Sequence, residues 1–516
     1  MIQPTDTRAP PQWWQTRWFL FFALVAAAVP MLWPEFAPLT DAPGHIGRYR
    51  ILADSPAGPS AQHYAVQWGL IGNLGVDALV LALHPLLDVE PAARLVIGLI
   101  PVITVAAMLW VAREAHGRLP ATAGFALPLA YGFPFQLGFV NFCLAAALAL
   151  AGLALWLRLA RTRPPSVRLW VFALYAGPVW LCHSFGWAML GLFIVGAEWQ
   201  MRMARGARWD RAAVAAGLMA LPMIWPVALM VSGGANRLDG DTGDWFHWSA
   251  KAQWAISLLR ERWKLYDLLC VTVIAFLLWT AIRSPRLRFV GVLAVPALLG
   301  LVAFLLLPRL FQGGAGVDMR ILPYATALAL LAIEVPPGNP SLSRRVAVFG
   351  TAFFGLRMLM TTAAFVLFAQ GQTVALRAIE AIPRAAAVLV LVDEPSLESW
   401  YNPRLSHVAG IAIARRRVFT NEQWSLAGQQ LIRPLHPRAA PFDRDPSQIV
   451  HPPGSDDESV DLVKAIAAFD RCTFQRIWTI GFPAGRARAA DLRVIWSDGR
   501  SAVYAVDPAP ATCRPG

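Results

Sequence analysis

Asp41 and His45 stand four residues apart in the stretch Asp41-Ala42-Pro43-Gly44-His45. On a helix that spacing puts a carboxylate and an imidazole on one face. Such a pair suits proton abstraction from a hydroxyl, the carboxylate accepting the proton as the oxygen attacks. One carboxylate is enough for an inverting sugar transfer from a phosphate-linked donor, because phosphate departs without being protonated. The same residues have a structural use: Asp41 or Thr40 can cap a short helix beginning near Pro43. Spacing alone leaves both open.

Arginines supply the opposite charge. Arg320 and Arg357 are the candidates for a donor phosphate, because a planar guanidinium fork matches phosphate oxygens and offsets charge on a leaving group. Arg320 begins an apolar run and could equally snorkel at the interface. Arg357 lies twelve residues beyond Arg345, near mid-bilayer at ~1.5 Å per residue. A charge there needs a wet cavity or a partner such as Asp77 or Asp267. Arg48, His183 and Trp245 are candidate substrate contacts. The structural alternatives are a helix end satisfied by His183 and interfacial anchoring by Trp245, Trp248 and Trp254. Asn141, inside an apolar run, reads as glue between helices.

These residues are positioned by a chain of 516 residues, 57% hydrophobic and only 15% charged, with mean hydropathy +0.48. That composition excludes a disordered chain and an ordinary soluble enzyme. Eleven apolar runs approach the roughly 17–25 residues that span a hydrocarbon core: 18–34, 92–112, 121–137, 138–158, 167–183, 184–200, 211–232, 266–282, 287–307, 321–335 and 346–369. Residues 61–87 read as a helix lying at the outer interface, since a full span there would invert every later loop. Most arginines before position 370 then fall in segments on one side, which marks that side as cytoplasmic. The N-terminus is expected inside. The first loop, 35–91, and the segment after 369 are expected outside.

Net charge supports this division. Of the formal +13, the last 147 residues carry only +2, from 17 basic and 15 acidic side chains. The basic excess is therefore a topology label, and nucleic-acid binding is excluded as the reading of it. Two domains are expected: a membrane domain, 1–369, and a soluble α/β domain, 370–516, with strands at 387–392, 492–496 and 502–506 and a helix at 461–469. Cys143, Cys182 and Cys270 lie in apolar runs. Cys472 and Cys513 fall in the outer segment, where an oxidising compartment favours a disulfide between them. No metal-ligand spacing, Walker loop, GxSxG, dinucleotide fingerprint or HExxH occurs.

One outward acidic residue after the first span, followed by interfacial helices, many spans and an outer C-terminal domain, resembles the GT-C superfamily of membrane glycosyltransferases. The likeness is carried by Asp41 and His45, by Tyr131-Gly132-Phe133-Pro134-Phe135 with Gly138-Phe139-Val140-Asn141-Phe142, by His183-Ser184-Phe185-Gly186, and by Pro308 with Asp318-Met319-Arg320. It implies a polytopic α-helical fold of about eleven transmembrane helices with a small extracytoplasmic α/β domain, in a bacterial inner membrane. It further implies a polyprenyl-phosphate-linked sugar as donor, a glycan or lipid acceptor, and Asp41 as the catalytic acidic residue. Many members carry paired acidic residues in the first loop, whereas Ala42 follows Asp41 here, which leaves a divalent metal ion open. Two other classes fit the composition: a membrane transporter or lipid flippase, and a non-catalytic envelope assembly protein.

Overall fold

Runs of Ala, Leu and Val without interior turn residues favour helix, and they form the longest helices of this chain. The computed structural model describes residues 11–54, 56–232, 240–336, 338–393, 400–401, 404–426, 428–451 and 461–507. Among these, four helices are long and apolar enough to cross a membrane: Val89–His116, Val140–Thr162, Lys264–Arg283 and Pro340–Ala381. Arg17–Met31 and Gly291–Leu306 are shorter apolar helices.

Three expected elements take another form, one of them 211–232, which breaks at Pro222 and Pro226 into Trp209–Ala220, Leu221–Met223 and Pro226–Ser232. Residues 121–137 make three short helical pieces, Ala123–Ala126, Leu127–Tyr131 and Phe133–Leu137. Pro128 and Pro134 remove backbone donors and Gly132 is extended, so one continuous helix cannot form. The broken backbone is buried from 121 to 136, the condition under which irregular chain is tolerated at membrane depth. Residues 61–87 hold a strand, Tyr64–Val66, and a nine-residue helix, Gly75–Leu83, in place of one interfacial helix. Gly72, Asn73 and Gly75 interrupt the apolar pattern there.

Contacts divide the chain into two compact units: Met1–Trp33, Leu70–Val76 and Ile97–Ala364 in the first, Pro34–Gly69, Asp77–Val96 and Phe365–Gly516 in the second. Most of the first loop thus groups with the C-terminal segment. In the first unit the helix Ser184–Met203 packs against Val140–Thr162, Trp209–Ala220 and Gly291–Leu306. Gly186 faces Ala145 so closely that a Cβ there would sit 2.3 Å from the Ala145 methyl. Small residues at such crossings let backbones approach where the surrounding lipid offers no hydrophobic drive.

The second unit is built on a sheet. Its strand Ala387–Asp393 is a continuous apolar run with parallel neighbours at Phe419–Thr420, Ile449–Val450 and Arg476–Ile480. Burial on both faces explains the absence of polar alternation. Arg476–Ile480 pairs antiparallel with Ala502–Val506, which pairs antiparallel with Leu492–Ser497. The expected hairpin therefore forms, as does the expected helix, Leu462–Ala468, capped by the Asp461 side chain. Tyr64–Val66 adds an antiparallel pair with Ile432–Pro434.

The helix Ala42–Ala53 packs on the helix Gly410–Arg416 in the same unit. A Cβ at Gly410 would lie 2.2 Å from the Pro43 carbonyl oxygen, and one at Gly47 would lie 2.8 Å from that of Gly410. The two backbones touch with no side chain between them. Gly410→Val is expected to destabilise the second unit by about 1–3 kcal/mol, the usual cost of overpacking. Thermal unfolding of the detergent-solubilised chain measures this, and an unchanged midpoint would refute the contact.

Candidate active site

That helix contact places Asp41, at the head of one helix, in a cluster with His407, three residues before the other. Asp41 is the N-cap residue by position, yet its side chain makes no capping hydrogen bond. Its Oδ1 instead faces His407 Nε2 at 3.9 Å. Asp445 Oδ1 lies 3.4 Å from the same nitrogen. On the other edge of the ring, His407 Nδ1 is 3.0 Å from Glu422 Oε2.

Three carboxylates therefore surround one imidazole. Burial by itself would favour the neutral ring; Asp445, Glu422 and Asp41 outweigh it and push the His407 pKa up to about 10. The ring is an imidazolium at neutral pH. Glu422 is fully buried, whereas the side chains of Asp41 and Asp445 are each 18% exposed. The exposed pair can meet a substrate and Glu422 cannot.

Local anchors fix each member. Gln423 Nε2 donates to Glu422 Oε1 at 2.6 Å and to the Gly44 carbonyl at 3.0 Å. Gln448 Nε2 donates to Asp445 Oδ1 at 2.8 Å. Asn421 exchanges hydrogen bonds with the backbone of Val390, which ties the segment 420–424 to the central strand. Trp424 stacks on His407 with ring centroids 4.5 Å apart and tilts against His45 at 4.9 Å. Gly44 makes room for it, since a Cβ there would lie 2.8 Å from the indole. Asp41 and His45, the first pair singled out from sequence, thus border one cluster. His407, Glu422, Trp424 and Asp445 were missed. The available signal was the polar run Thr420-Asn421-Glu422-Gln423 wedged between Phe419 and Trp424, an unusual sequence to follow a buried strand.

Arg320 and His183 meet in the first unit. His183 Nδ1 accepts from the Phe185 backbone N–H at 3.1 Å and caps the helix Ser184–Met203. His183 Nε2 lies 3.2 Å from Arg320 Nη1. A neutral imidazole that accepts at Nδ1 carries its hydrogen at Nε2. Two donors then converge, an arrangement suited to an anion. The guanidinium sits over Phe139 at 4.3 Å, with Phe142 and Phe185 each at 5.9 Å. Two of the segments singled out for their family likeness also hold residues 70–76. Asn141 Oδ1 accepts from Val76 N–H at 2.6 Å, and Ser184 N–H donates to the Gly72 carbonyl at 2.9 Å. Asp318 is paired with Lys251 at 2.9 Å.

Two arginines do other work than expected. Arg357 is fully buried and held by Asp267 at 2.6 Å, Glu261 at 3.4 Å and the Leu259 carbonyl at 2.6 Å. Its place in the fold is explained by ion pairing, as a buried charge requires, and both its Nη groups are turned to protein oxygens. Arg48, 2% exposed, is ion-paired with Asp77, to which its Nη2 donates at 3.0 Å, and its Nη1 donates to Gln430 at 2.7 Å, so it is turned to protein oxygens. Trp245 is 52% exposed beside Phe246. Cys472 is disulfide-bonded; its expected partner, Cys513, lies outside the described residues. Cys143, Cys182 and Cys270 are free and buried. Among the described residues no group of three or more His, Cys, Asp or Glu side chains has the geometry to hold a metal ion.

No protein-family model matches this chain, and no curated protein does. Its fold is similar to that of ArnT from Cupriavidus metallidurans. The crystal structure of that protein in the apo state superposes with a TM-score of 0.53 at 14% identity, covering 95% of this chain and 97% of that one. The structure of the same protein bound to undecaprenyl phosphate gives 0.49 at 14% identity, over 97% and 98%. The first match shows that this chain shares the fold of that protein.

Removing one partner of a buried ion pair strands the others. Arg357→Leu leaves Asp267 and Glu261 buried beside an apolar side chain and is expected to cost about 3–5 kcal/mol. The measurement is the unfolding midpoint in detergent; a shift below about 1 kcal/mol would mean that water reaches the carboxylates.

Proposed function

We propose that this chain is an integral membrane glycosyltransferase that moves a sugar from a polyprenyl-phosphate donor to an envelope acceptor, with Asp41 as general base. The observation that carries this reading is the part-exposed Asp41 carboxylate facing the buried His407 imidazolium, in a chain with a GT-C-like fold. The acceptor O–H proton passes to an Asp41 carboxylate oxygen. As it does, the acceptor oxygen bonds to the anomeric carbon. The bond from that carbon to the donor phosphate breaks, and the phosphate keeps the electron pair. Inversion follows from a single displacement.

Arg320 and His183 are the proposed anion-holding pair, because a phosphate between them would accept from both Arg320 Nη1 and His183 Nε2 and relieve their donor–donor encounter. The exposed Trp245 is a proposed sugar-stacking surface. The arginine distribution supports an inner-membrane chain with a cytoplasmic N-terminus and a periplasmic C-terminal segment. A count of about eleven spans belongs to the same proposal, with residues 121–137 entering as a broken segment.

The experiment compares envelope glycans and glycolipids by mass spectrometry in cells with and without the gene. One sugar is expected to be missing without it. Asp41→Asn should reduce the corresponding product by about 100-fold or more, the range expected for a lost general base, at unchanged protein abundance. Arg320→Gln should leave some product and raise the donor level needed. Full product from Asp41→Asn would remove the catalytic assignment, and flux of a lipid-linked sugar across proteoliposomes with no covalent change would favour a transporter instead.

A further inference from the structure

The sequence lacks a second acidic residue beside Asp41, where Ala42 stands. The fold supplies one from far along the chain, for Asp445 lies across the His407 ring edge from Glu422, on the same nitrogen that Asp41 faces. We propose that His407 is a positioning residue, a cation carried by the protein that stands between Asp41 and Asp445 and offsets their mutual repulsion, so that Asp41 is available as the base. The proposal rests on the assignment of Asp41 made above. It takes one step further the question left open by Ala42, namely what positive charge accompanies two carboxylates at this site.

The groups facing His407 come from three segments. Asp41 stands at the head of the Ala42–Ala53 helix, Glu422 follows the strand Phe419–Thr420, and Asp445 precedes Ile449–Val450. Trp424 covers one face of the ring and also contacts His45. Geometry divides the labour among the carboxylates. Glu422, fully buried and within 3.0 Å of Nδ1, fixes the ring orientation. With Nδ1 so engaged, Nε2–H is aimed at the gap between Asp41 and Asp445, the two members that reach solvent. Asp445 is the nearer and is itself tied down by Gln448. Asp41 is the farther, at 3.9 Å. When the acceptor proton arrives on Asp41, the Nε2–H turns to Asp445 alone. Net charge in the cluster then rises from −2 to −1 by the count of one imidazolium and three carboxylates. The cation thus limits repulsion before the step, and the step itself reduces it.

Two readouts test this on the full-length protein. The first needs no substrate: the unfolding midpoint in detergent as a function of pH. His407 is raised from 6.5 to about 10 on folding, so its contribution is complete below about 6.5 and is lost as pH rises through about 10. His407→Gln should flatten that decline, and His407→Lys, which keeps a cation, should hold a high midpoint beyond pH 7. The second is product formation by membranes carrying the protein, using the mass-spectrometric product defined above. His407→Gln should move the acid limb of its pH profile upward by about one to three units, the shift that an opposite charge within ~4–6 Å produces. His407→Lys should restore the limb. An unchanged limb in His407→Gln overturns the proposal. So does tight binding of Zn(II) to the wild-type protein that Asp41→Asn abolishes, because a metal would then occupy the place given to the imidazolium. If Asp41→Asn leaves the product intact, the general-base reading falls, while the stability profile still decides whether His407 carries a charge.

Discussion

Two backbones in contact set the geometry from which the rest of the second unit follows. Gly410 meets Pro43 and Gly44 with no side chain between them. A larger residue at either helix would push Asp41 and His407 apart by the width of that side chain. Within that approach, Gly44 opens space for Trp424, and Gln423 bridges from the Gly44 carbonyl to Glu422. The polar cluster is thus an outcome of small residues. Such precision is available to backbone contact and less to long side chains, which lose rotamer freedom when held.

Charge burial follows one rule in both units. Arg357 is matched by Asp267 and Glu261, Lys251 by Asp318, Arg168 by Glu198, and Arg48 by Asp77. An isolated ion in so apolar a chain would be costly, and breaking any such pair costs more than the pair contributes over an apolar substitute. The His407 cluster departs from one-to-one matching. It has three carboxylates for one cation, and two of them reach solvent. The imbalance leaves the cluster with a net negative charge at a part-open position, unlike the matched pairs elsewhere.

Periodicity made the long helices and the central strand legible, because burial on all sides leaves an apolar run with little else to become. The first loop's Asp41 and His45 stood out by spacing alone, which left capping and chemistry both open. What spacing could not convey was their company. His407, Glu422 and Asp445 lie in the C-terminal segment, and nothing local in sequence marks a carboxylate that will face another chain segment. Segment 121–137 read as a span because hydropathy weighs side chains and ignores missing backbone donors; Pro128, Gly132 and Pro134 decided otherwise. Arg357 and Arg48 looked like ligands from charge type, yet full burial with carboxylates gives the same sequence signal. Only geometry separates the two.

The second unit is assembled from pieces distant along the chain: Tyr64–Val66 pairs with Ile432–Pro434, and His63 meets His436 across 373 residues. During synthesis the early piece emerges long before the partner it needs. Pairings so far apart pay their loop-closure entropy before any contact rewards it, which makes them slow. The loop that carries Asp41 therefore waits for its imidazole and partner carboxylates until residues 407 to 445 have been made. A chain that stops short of residue 445 can place its apolar helices and still lack the cluster. Asp41 thus acquires its neighbours only once the chain has passed residue 445.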